Sequence, residues 1–600
     1  MFFLLFACSK EDIKPEQFIC PDISELDQHQ NYFIDASQDW GLTTISPTGY
    51  RIAAVDFNGD DWPDLLIRSS DEIDQPNNRT TWLLINNKNK TFTDVTNESG
   101  ILIGRDGEVR PGQVSAFGDV DNDGDVDLYL ASPISNGHTP EILLNDGAGF
   151  FTFGSDDSDL RLLGFDRSSA ASFVDYNLDG NLDLWIPQGS AEQDRLLWGY
   201  GDGRFTDVTR AVGLGTKPWS SITDLNEALS HSNAWSGVAC DVNNDGYAEL
   251  LAASYGRAPN HLWFNDQGEM FQNQSISSGY AFDERQDWTD NESARCWCSL
   301  HPNTEDCEGV PEPEVISCQS DEDAFRWNHS QDRNPFRLGG NSGTTVCADI
   351  NNDGYFDLLT TEIVHWDVGS SSDPSEILYN RGQDDTDTIA FERVGNEITG
   401  LTREHELVTY DDGDITAAIF DFDNDGRQDI YIGSTDYSST RGLLYHQQDT
   451  GVFNPVDIDV GIDHVRSHGV AVADFDRDGD LDIVVGHSRN RCNGECYDTA
   501  QVRFFENQIS GRFVQLSLEG SAGSNRSAIG ARVVVEHDGR VQSQQIGGGF
   551  GHYGMQNDLV LHFGLGESCE ANVTVHWPDM ERTITEMSVK AGGLYTVIQQ

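Results

Sequence analysis

The chain has 600 residues and a formal net charge of −64 at pH 7. This length exceeds a typical single domain, although a repeat architecture can use it in one body. This large negative charge makes nucleic acid an unfavourable partner. It suits the solvated surface of an exported protein.

The N-terminal residues 1–8 form an apolar run that ends Leu5-Phe-Ala-Cys8. This run resembles a bacterial lipoprotein signal, which implies cleavage before Cys8 and attachment of lipid to its sulfur. The alternative is an ordinary or truncated secretory signal. In both cases the segment is a processing signal and does not belong to the folded domain. Residues 9–30 are polar, lack periodicity and are predicted to be a tether. The signal predicts an exported protein, either a lipoprotein of the cell surface or outer membrane or an extracellular protein. No later stretch approaches the ~20 apolar residues that a spanning helix needs.

An acidic pattern repeats along the rest of the chain, and Asp119-Val-Asp121-Asn-Asp123-Gly124-Asp-Val-Asp127 is a typical copy. Oxygen-bearing side chains occupy positions 1, 3, 5 and 9, and glycine occupies position 6. Alternation directs the first three side chains to one point, the glycine permits a left-handed turn, and the ninth residue returns a carboxylate. Oxygen donors at this density suit Ca2+, whereas Mg2+ keeps more water and zinc prefers His or Cys.

The pattern occurs seven times, and we number the copies loops 1 to 7. A single copy is compatible with an Asx-rich turn, but the preserved spacing of seven copies predicts up to seven Ca2+ ions. In loop 1 Asp61 replaces the glycine, and Asp adopts the left-handed conformation at some cost, so that site is expected to be weaker. The candidate ligands are Asp56, Asn58, Asp60 and Asp64; Asp119, Asp121, Asp123 and Asp127; Asp175, Asn177, Asp179 and Asp183; Asp241, Asn243, Asp245 and Glu249; Asp349, Asn351, Asp353 and Asp357; Asp421, Asp423, Asp425 and Asp429; and Asp474, Asp476, Asp478 and Asp482.

A short apolar strand enters and leaves each loop, and an aromatic strand with a turn follows. The unit is thus about four short strands, with no convincing amphipathic helix. Successive loops begin 53 to 72 residues apart, except for one interval of 108. Such repeats predict an all-β fold, a seven-bladed β-propeller over residues 31–510, and the rival is a linear solenoid. The early segment 31–42 is expected to pair with the last blade.

The long interval holds an insertion at about residues 278–340, rich in acid, Trp and cysteine. Outside the cytoplasm its cysteines favour disulfides, with zinc as the alternative. Cys240 and Cys347 are either buried thiols or partners, and Cys20 and Cys569 are left unassigned. The disulfide candidates are Cys296, Cys298, Cys307 and Cys318 in the insertion and the local pair Cys492 and Cys496.

The acidic loop, followed by a strand, a turn and Phe-x-Asp-Val-Thr as at Phe92 and Phe205, resembles the FG-GAP/VCBS repeats of integrin α-chain propellers and bacterial surface proteins. After residue 510 the pattern changes. Gly523-Ser-Asn-Arg526-Ser-Ala-Ile-Gly530-Ala-Arg532 and the later Gly547-Gly-Gly resemble the ASPIC/UnbV domain. Residues 511–600 are therefore expected to form a small β domain. The two parts together resemble the cartilage acidic protein family and its bacterial relatives.

Catalytic motifs are missing from the sequence. It contains no His-Glu-x-x-His, no Gly-x-Ser-x-Gly and no Gly-x-x-x-x-Gly-Lys, and most well-placed carboxylates are already assigned to metal. We therefore expect no enzyme but a calcium-stabilised recognition or adhesion module, with a protein or polysaccharide ligand at the cell surface and membrane contact only through a lipid anchor. The alternative is a carbohydrate-active hydrolase or lyase with its site on the propeller face.

Two groups of side chains are candidates for ligand contact. Trp219, Trp235 and the insertion's tryptophans either stack on sugar rings or pack in the core. Arg526 and Arg532 either face a ligand or anchor acidic neighbours. The sequence leaves both questions open.

Overall fold

The structure is a computed structural model, and it describes residues 20–23, 26, 30–69, 79–110, 114–131, 139–162, 167–383, 388–405, 407–434, 437, 440–487, 502–521 and 523–600. Cys8, Cys492 and Cys496 lie outside the described residues. Within the described part, no helix has the length and apolar character that a membrane crossing requires.

The fold is all-β and consists mainly of four-stranded antiparallel sheets, consistent with a β-propeller. Each sheet runs in chain order, so that its acidic loop joins the first strand to the second. The strands are Arg51–Val55, Asp64–Arg68, Thr81–Asn86 and Phe92–Asp94 (sheet 1); Val114–Gly118, Asp127–Ala131, Glu141–Asn145 and Phe151–Phe153 (sheet 2); Ser172–Val174, Asp183–Ile186, Arg195–Gly199 and Phe205–Asp207 (sheet 3); Ala234–Cys240, Glu249–Ser254, His261–Asp266 and Met270–Asn273 (sheet 4); Ser342–Ala348, Asp357–His365, Glu376–Gln383 and Ile389–Arg393, with Asp411–Gly413 added (sheet 5); Thr416–Phe420, Asp429–Gly433, Leu443–Gln447 and Phe453–Pro455 (sheet 6); and Ser467–Ala473, Asp482–His487, Arg503–Asn507 and Phe33–Asp35 (sheet 7).

The N-terminal strand Phe33–Asp35 forms the outer edge of sheet 7, where Phe33 lies opposite Asn507. The predicted pairing of this early segment with the last repeat is confirmed. The N-terminal strand is thus part of sheet 7, although it precedes sheet 1 in the chain.

Apolar side chains pack between consecutive sheets. Each of seven buried clusters joins one sheet to the next, and one of them packs Ile52 and Trp82 of sheet 1 against Val484 and Phe504 of sheet 7. Every sheet is therefore buried on two faces, which explains why its strands are nearly continuous apolar runs.

The C-terminal residues form two more sheets. One contains Leu561–Gly564, Phe513–Glu519 and Gly593–Ile598, and the other contains Arg540–Gln545, Arg532–His537, Glu570–His576 and Ile584–Lys590. Their apolar core is continuous with the cluster between sheets 2 and 3. The predicted small β domain is thus packed on the repeats.

Residues 547–557, which we call the crossing segment, connect the two C-terminal sheets. The crossing segment hydrogen-bonds to the first strand of every one of sheets 1 to 7. The contacts are Ala54 and Phe117 with Gln556, Phe173 with Gly548, Trp235 and Thr344 with His552, Thr416 with Met555, and Val472 with Asn557. All seven first strands therefore meet around one short stretch of chain.

Helices are few and short. The α-helices of the described chain are Leu42–Ile45, Asp159–Leu162, Ile222–Asn226, Glu292–Leu300 and Asn396–Thr399, and the 3-10 helices are Glu305–Cys307, Asp321–Ala324, Pro335–Arg337 and Trp366–Ser371. The helix Glu292–Leu300 in the insertion corrects the expectation of no amphipathic helix. Asn291 begins it by accepting the Ala294 N–H at 2.9 Å, an ordinary N-cap.

The insertion's four cysteines form two disulfides, Cys296–Cys318 and Cys298–Cys307. The prediction of disulfides here is confirmed. Cys240 bonds to Cys347 and joins the first strands of sheets 4 and 5. Cys20 bonds to Cys569, so this part of the predicted tether is attached to the C-terminal domain.

Candidate metal centres

The first carboxylate of each acidic loop organises the loop's backbone. Asp119 Oδ1 accepts the Asp123 N–H at 3.1 Å, and Oδ2 accepts the Gly124 N–H at 2.8 Å. The same two bonds recur in the other loops at Asp56, Asp175, Asp241, Asp349, Asp421 and Asp474. All seven loops therefore share one conformation.

The ninth residue ties the loop to the sheet. Asp127 Oδ2 accepts the Val120 N–H at 2.9 Å, while Oδ1 accepts the Asn145 N–H of the third strand at 2.8 Å. The equivalent residues are Asp64, Asp183, Glu249, Asp357, Asp429 and Asp482. The first and last predicted ligands are thus held in place by backbone amides.

The sixth position adopts the predicted left-handed conformation. Gly124 has φ 104°, and Asp61, which replaces glycine in loop 1, has φ 67°. A non-glycine residue pays a steric cost in this region, as expected for loop 1. The fourth position is left-handed as well, with φ 58° at Asn122, a feature for which asparagine is suited.

The oxygens of the loops converge. In loops 2, 6 and 7 three carboxylates each offer an oxygen within 4.8 Å of the others, and Asn occupies the third position of the remaining four loops. The third-position oxygens Asn58 Oδ1, Asp121 Oδ1 and Asp476 Oδ1 are buried and have no hydrogen-bond partner among the described residues. A buried acceptor without a donor is costly, and a cation among the loop oxygens would satisfy it. The donor set, oxygen only in these loops, fits Ca2+.

Burial and mutual repulsion perturb the loop carboxylates. Burial raises the pKa of Asp64 to about 9 and that of Asp127 to about 8, and neighbouring loop carboxylates add to the rise. Burial likewise raises the pKa of Asp349 to about 7, with Asp353 adding to it. Like charges in a low-dielectric site disfavour ionisation, and a divalent cation reverses that preference.

Basic side chains lie beside several loops, and His446 and Lys90 are two examples. His446 Nε2 is 3.1 Å from Asp423 Oδ2 of loop 6, and Lys90 Nζ is 2.7 Å from Asp476 Oδ2 of loop 7. Burial lowers the pKa of His446, but the neighbouring carboxylates of Asp423 and Asp425 outweigh it and raise that pKa to about 10. These cations neutralise part of the acidity of their loops.

Two sets of side chains that the sequence analysis did not single out join neighbouring loops. The first set ends the third strand, where Asn145 Nδ2 donates to the Phe57 carbonyl of the preceding loop at 2.7 Å. The same bond joins sheet 1 to sheet 7, since Asn86 Nδ2 donates to the Phe475 carbonyl at 2.8 Å. Equivalent bonds are made by Asn265, Asn380, Gln447 and Asn507. Their signal in the sequence is an amide at the end of the aromatic strand.

The second set occupies the fourth loop position. Asn424 Nδ2 donates to the Gly479 carbonyl of the next loop at 3.1 Å, and Asn122, Asn244 and Asn352 make the equivalent bond. In loop 7 arginine replaces asparagine, and Arg477 Nη2 donates to the Asp61 carbonyl of loop 1 at 2.7 Å. The loops therefore lie side by side, and we call their end of the sheets the loop side and the opposite end the far side.

The C-terminal domain packs on the loop side. Gln515 Nε2 donates to Asp474 Oδ2 at 2.7 Å, and the Asp241 N–H donates to Gln545 Oε1 at 3.1 Å. Arg532 Nη2 donates to the Gly354 carbonyl of loop 5 at 2.7 Å. Arg526 places its backbone N–H 3.0 Å from Asn122 Oδ1 of loop 2. Arg532 thus contacts a loop through its side chain and Arg526 through its backbone, while the Arg526 side chain lies 2.6 Å from Glu519.

The far side carries a cavity of about 1070 Å3 beside sheets 5 and 6. Arginines and carboxylates line it in pairs. Arg393 lies 2.7 Å from Glu376, and Arg403 lies 2.8 Å from Asp412. A cavity of this size with paired charges suits a polar ligand.

The candidate tryptophans also lie on the far side. Trp219 Nε1 donates to the His231 carbonyl at 2.6 Å, and Trp297 stacks on His329 with centroids 3.8 Å apart. Trp288 stacks on Trp327 at 5.3 Å. These rings pack within the insertion or against residues near it. Trp235 instead contacts His552 of the crossing segment.

Comparison with known proteins identifies both parts of the chain. The FG-GAP-like repeat model matches residues 56–130, 119–186 and 421–485, and the ASPIC and UnbV model matches residues 520–600. No curated protein matches the chain.

Solved structures of similar shape share little sequence. They include a lectin of Agrocybe aegerita that recognises non-reducing terminal N-acetylglucosamine (13% identity, 69% of this chain and 81% of that one, TM-score 0.38). They also include the biofilm matrix protein Bap1 of V. cholerae (11%, 92% and 82%, 0.28) and the exotype rhamnogalacturonan lyase YesX (11%, 92% and 90%, 0.31). Likeness at this level carries no argument about function. The family models, in contrast, match five of the acidic loops (loops 1, 2, 3, 6 and 7) and the C-terminal motif, and the chain contains FG-GAP-like repeats and a C-terminal ASPIC and UnbV domain.

Proposed function

We propose that this chain is an exported, non-enzymatic recognition or adhesion protein in which Ca2+ stabilises a seven-bladed β-propeller. The observation that carries the proposal is the identical backbone bonding of all seven acidic loops around converging oxygens. Disulfides and FG-GAP repeats fit an extracellular protein. A lipid on Cys8 would hold it at a membrane.

Three observations support a closed ring of seven blades. The apolar cluster between sheets 7 and 1 repeats the packing between the other consecutive sheets. The bonds from Asn86 to Phe475 and from Arg477 to Asp61 repeat the links between the other loops. The crossing segment hydrogen-bonds to seven first strands, as expected if those strands surround it. A linear solenoid would leave its two end sheets apart.

Calcium acts structurally in this proposal. Each loop connects two strands of one blade, and loops 2, 4, 5, 6 and 7 hydrogen-bond to the C-terminal domain, so ions in these loops would lie between the two parts of the molecule. A cation that binds only the folded state stabilises it by mass action, by about 2.7 kcal/mol per site at a hundredfold excess over Kd. Seven sites acting together would make folding dependent on calcium.

Chelation tests this role. The native protein, with its disulfides formed, is dialysed against EDTA and then against Ca2+ or Mg2+, and its melting is followed by circular dichroism. We expect the Tm to fall by at least about 10 °C without calcium and to recover with Ca2+ but not fully with Mg2+. Metal analysis of the untreated protein gives the number of ions. An unchanged Tm after chelation, with no alkaline-earth ion bound, contradicts the proposal.

Recognition is assigned to the far side, because the C-terminal domain covers the loop side. Binding residues concentrate on variable connections held by a rigid scaffold, and the insertion and the cavity beside Arg393 are both far-side features. The ligand is a protein or a polysaccharide.

The alternative is a carbohydrate-active hydrolase or lyase. The observation that favours it is the set of carboxylates in the far-side cavity, among them Glu376 and Asp412. A glycan array combined with a reducing-end release assay separates the two. Binding without product release supports the recognition module, and release that a Glu376→Gln variant abolishes supports the enzyme.

A further inference from the structure

The middle of the crossing segment, a turn closed by the pairing of Phe550 with Met555, reaches a cluster of aromatic and basic residues at the far side. We call this cluster the far-side cluster and define it as Tyr50, Arg51, Trp235, Tyr255, His468, His552 and Tyr553. Arg51, Trp235 and His468 belong to the first strands of sheets 1, 4 and 7, and His552 and Tyr553 belong to the crossing segment. Since all first strands converge here, the cluster lies where the far side is closest to the middle of the repeats.

Arg51 is buried without an acidic partner. It is only 3% exposed, and no carboxylate of a described residue forms an ion pair with it. Its Nη1 donates to the Tyr50 carbonyl at 3.1 Å and contacts His468 Nδ1. Its Nε is buried and has no hydrogen-bond partner in the described chain. Burial lowers the pKa of Arg51 to about 10.

Some other buried arginines of this acidic chain pair with carboxylates, whereas Arg110 donates to the backbone carbonyls of Ile101 and Ile103. Arg257 pairs with Asp332, and Arg393 pairs with Glu376. Acidic residues outnumber Lys and Arg by 101 to 37, so an acidic partner for one more arginine is easily supplied. A buried charge is costly unless it is paired, and the isolation of Arg51 therefore points to a partner that comes from outside the chain.

The surroundings of Arg51 fix how that partner can approach. The Arg51 Cζ lies 4.3 Å from the ring centroid of Tyr50 and 4.6 Å from that of Tyr553. Ring contacts of this kind use the faces of a planar guanidinium and leave hydrogen bonding to its edges. The edge that carries Nε is the edge at which a carboxylate binds in a bidentate manner.

Aromatic rings line the approach. Trp235 stacks on Tyr255 with centroids 3.8 Å apart and on His552 at 4.6 Å, and His552 stacks on Tyr553 at 3.9 Å. Trp235, Tyr255, Tyr50 and Tyr553 are all partly exposed. These partly exposed rings give the approach to Arg51 a rigid and largely apolar lining.

The two histidines of the cluster supply neutral polar atoms. Burial, together with the charge of Arg51, lowers the pKa values of His468 and His552 well below their usual range. His552 Nδ1 donates to the Trp235 carbonyl at 2.8 Å, which fixes the ring against the tryptophan. Arg51 is therefore the cation of the cluster at neutral pH.

We infer that the far-side cluster binds a carboxylate-bearing sugar residue, with the carboxylate on the edge of Arg51 and the sugar ring beside the exposed parts of Trp235 and Tyr553. This inference rests on the proposed recognition function and names the ligand class. The strongly negative remainder of the protein repels polyanions, so the expected ligand presents one acidic sugar at its terminus and not a uniformly charged chain.

The test uses the full-length, calcium-loaded protein on an array of glycans with terminal uronic acids, their carboxyl-reduced neutral counterparts, and acidic peptides. Titration calorimetry then measures the best uronate. We expect the neutral counterpart to bind at least about tenfold more weakly, since a charge-assisted pair is lost. Arg51→Gln is expected to weaken uronate binding by a similar factor, and Trp235→Ala to weaken the uronate and its neutral counterpart alike.

Arg204→Gln is the matched control. Arg204 also lies over a tyrosine ring, 4.8 Å from the Tyr200 centroid, but it is partly exposed and pairs with Asp202 outside the cluster. Its replacement changes the net charge equally and should leave binding unchanged. Should Arg51→Gln fold poorly by its melting curve, Arg51→Lys, which keeps the charge and loses the bidentate edge, carries the test with an expected loss of severalfold.

The outcomes separate the two proposals. Uronate binding that Arg51→Gln and Arg51→Lys leave intact overturns the inference and leaves recognition to another surface. Binding of acidic peptides but of no uronate also overturns it. No binding to any glycan or peptide on the array overturns the inference, and if surface proteins are not bound either, the proposed recognition function fails with it.

Discussion

The two ends of the sheets differ in almost every respect. On the loop side seven connections share one length, one backbone conformation and one set of hydrogen bonds, and the C-terminal domain covers them. On the far side the connections differ in length, one of them expands into the insertion, and cavities and partly exposed aromatic rings lie between them. The regular end is the one at which the loops bond to one another and to the C-terminal domain, and the variable end is the one to which we assign recognition.

Replacing the first carboxylate of a loop is expected to have the largest effect on stability, because on the loop side the loops bond to one another and to the C-terminal domain. Asp421→Ala removes an almost fully buried acceptor of two backbone N–H groups from loop 6. We expect a loss of about 3–5 kcal/mol of unfolding free energy, because buried donors lose their partner and the loop loses a cation ligand. Chemical denaturation in the presence of Ca2+ measures it.

Asp56→Ala in loop 1 provides the comparison within the loop side. Asp56 is partly exposed, and Asp61 weakens the loop, so the expected loss is smaller, about 1–2 kcal/mol. Equal losses for the two variants would contradict the prediction that loop 1 contributes least.

Removing the bond between the last and first loops should reduce the unfolding free energy by less than replacing a candidate calcium ligand such as Asp421. Arg477→Ala removes the bonds to the Asp61 carbonyl and the ion pair with Asp558, 3.1 Å away. We expect a loss of about 1–3 kcal/mol. Asn352→Ala, which breaks the equivalent link between loops 5 and 6, is the internal control, with about 1 kcal/mol. If Arg477→Ala had no effect while Asn352→Ala did, the closure between sheets 7 and 1 would be wrong.

Asp61→Gly should stabilise the protein slightly. The residue's φ of 67° is unfavourable for Asp, and its backbone N–H and carbonyl bonds survive the change. Relief of the strain minus the added chain entropy leaves about 0.5–1 kcal/mol. A calorimetric melt with excess Ca2+ checks the sign, and destabilisation would show that the Asp61 carboxylate itself holds the loop.

The smallest effect is expected on the far side. Phe325 of the insertion is 76% exposed, so Phe325→Ser should change the unfolding free energy by less than about 0.5 kcal/mol. Calcium titration should give the same number of ions as for the unchanged protein. A large destabilisation would mean that the insertion supports the sheets, which would remove the contrast between the two sides.

The structure of the repeats could be predicted from the sequence, because each loop and its flanking strands depend on residues close together in the chain. The spacing of Asp119, Asp121, Asp123 and Asp127 predicts a loop with strands on both sides, and the structure has it. The insertion's disulfides and the pairing of Phe33–Asp35 with sheet 7 are confirmed for the same reason, since each follows from a short pattern.

What the sequence did not reveal depends on distant contacts. The bond from Asn86 to Phe475 and the disulfide Cys20–Cys569 join residues hundreds of positions apart, and no single sequence states such a pairing. Gly547-Gly-Gly gave no sign that the next residues cross the repeats, since a glycine run indicates permissive backbone and not its surroundings. The helix Glu292–Leu300 is short enough for one N-cap and two disulfides to decide it.

The Cys20–Cys569 bond determines how a mechanical load would travel through an anchored molecule. Tension applied at the N-terminus passes at Cys20 into Cys569 and thus into the C-terminal domain. The edge strand Phe33–Asp35, which backbone hydrogen bonds alone would let peel away, lies behind that covalent junction and is shielded from the pull. Reduction would transfer the force to this strand, so a tethered molecule should unravel at lower force in a reducing buffer.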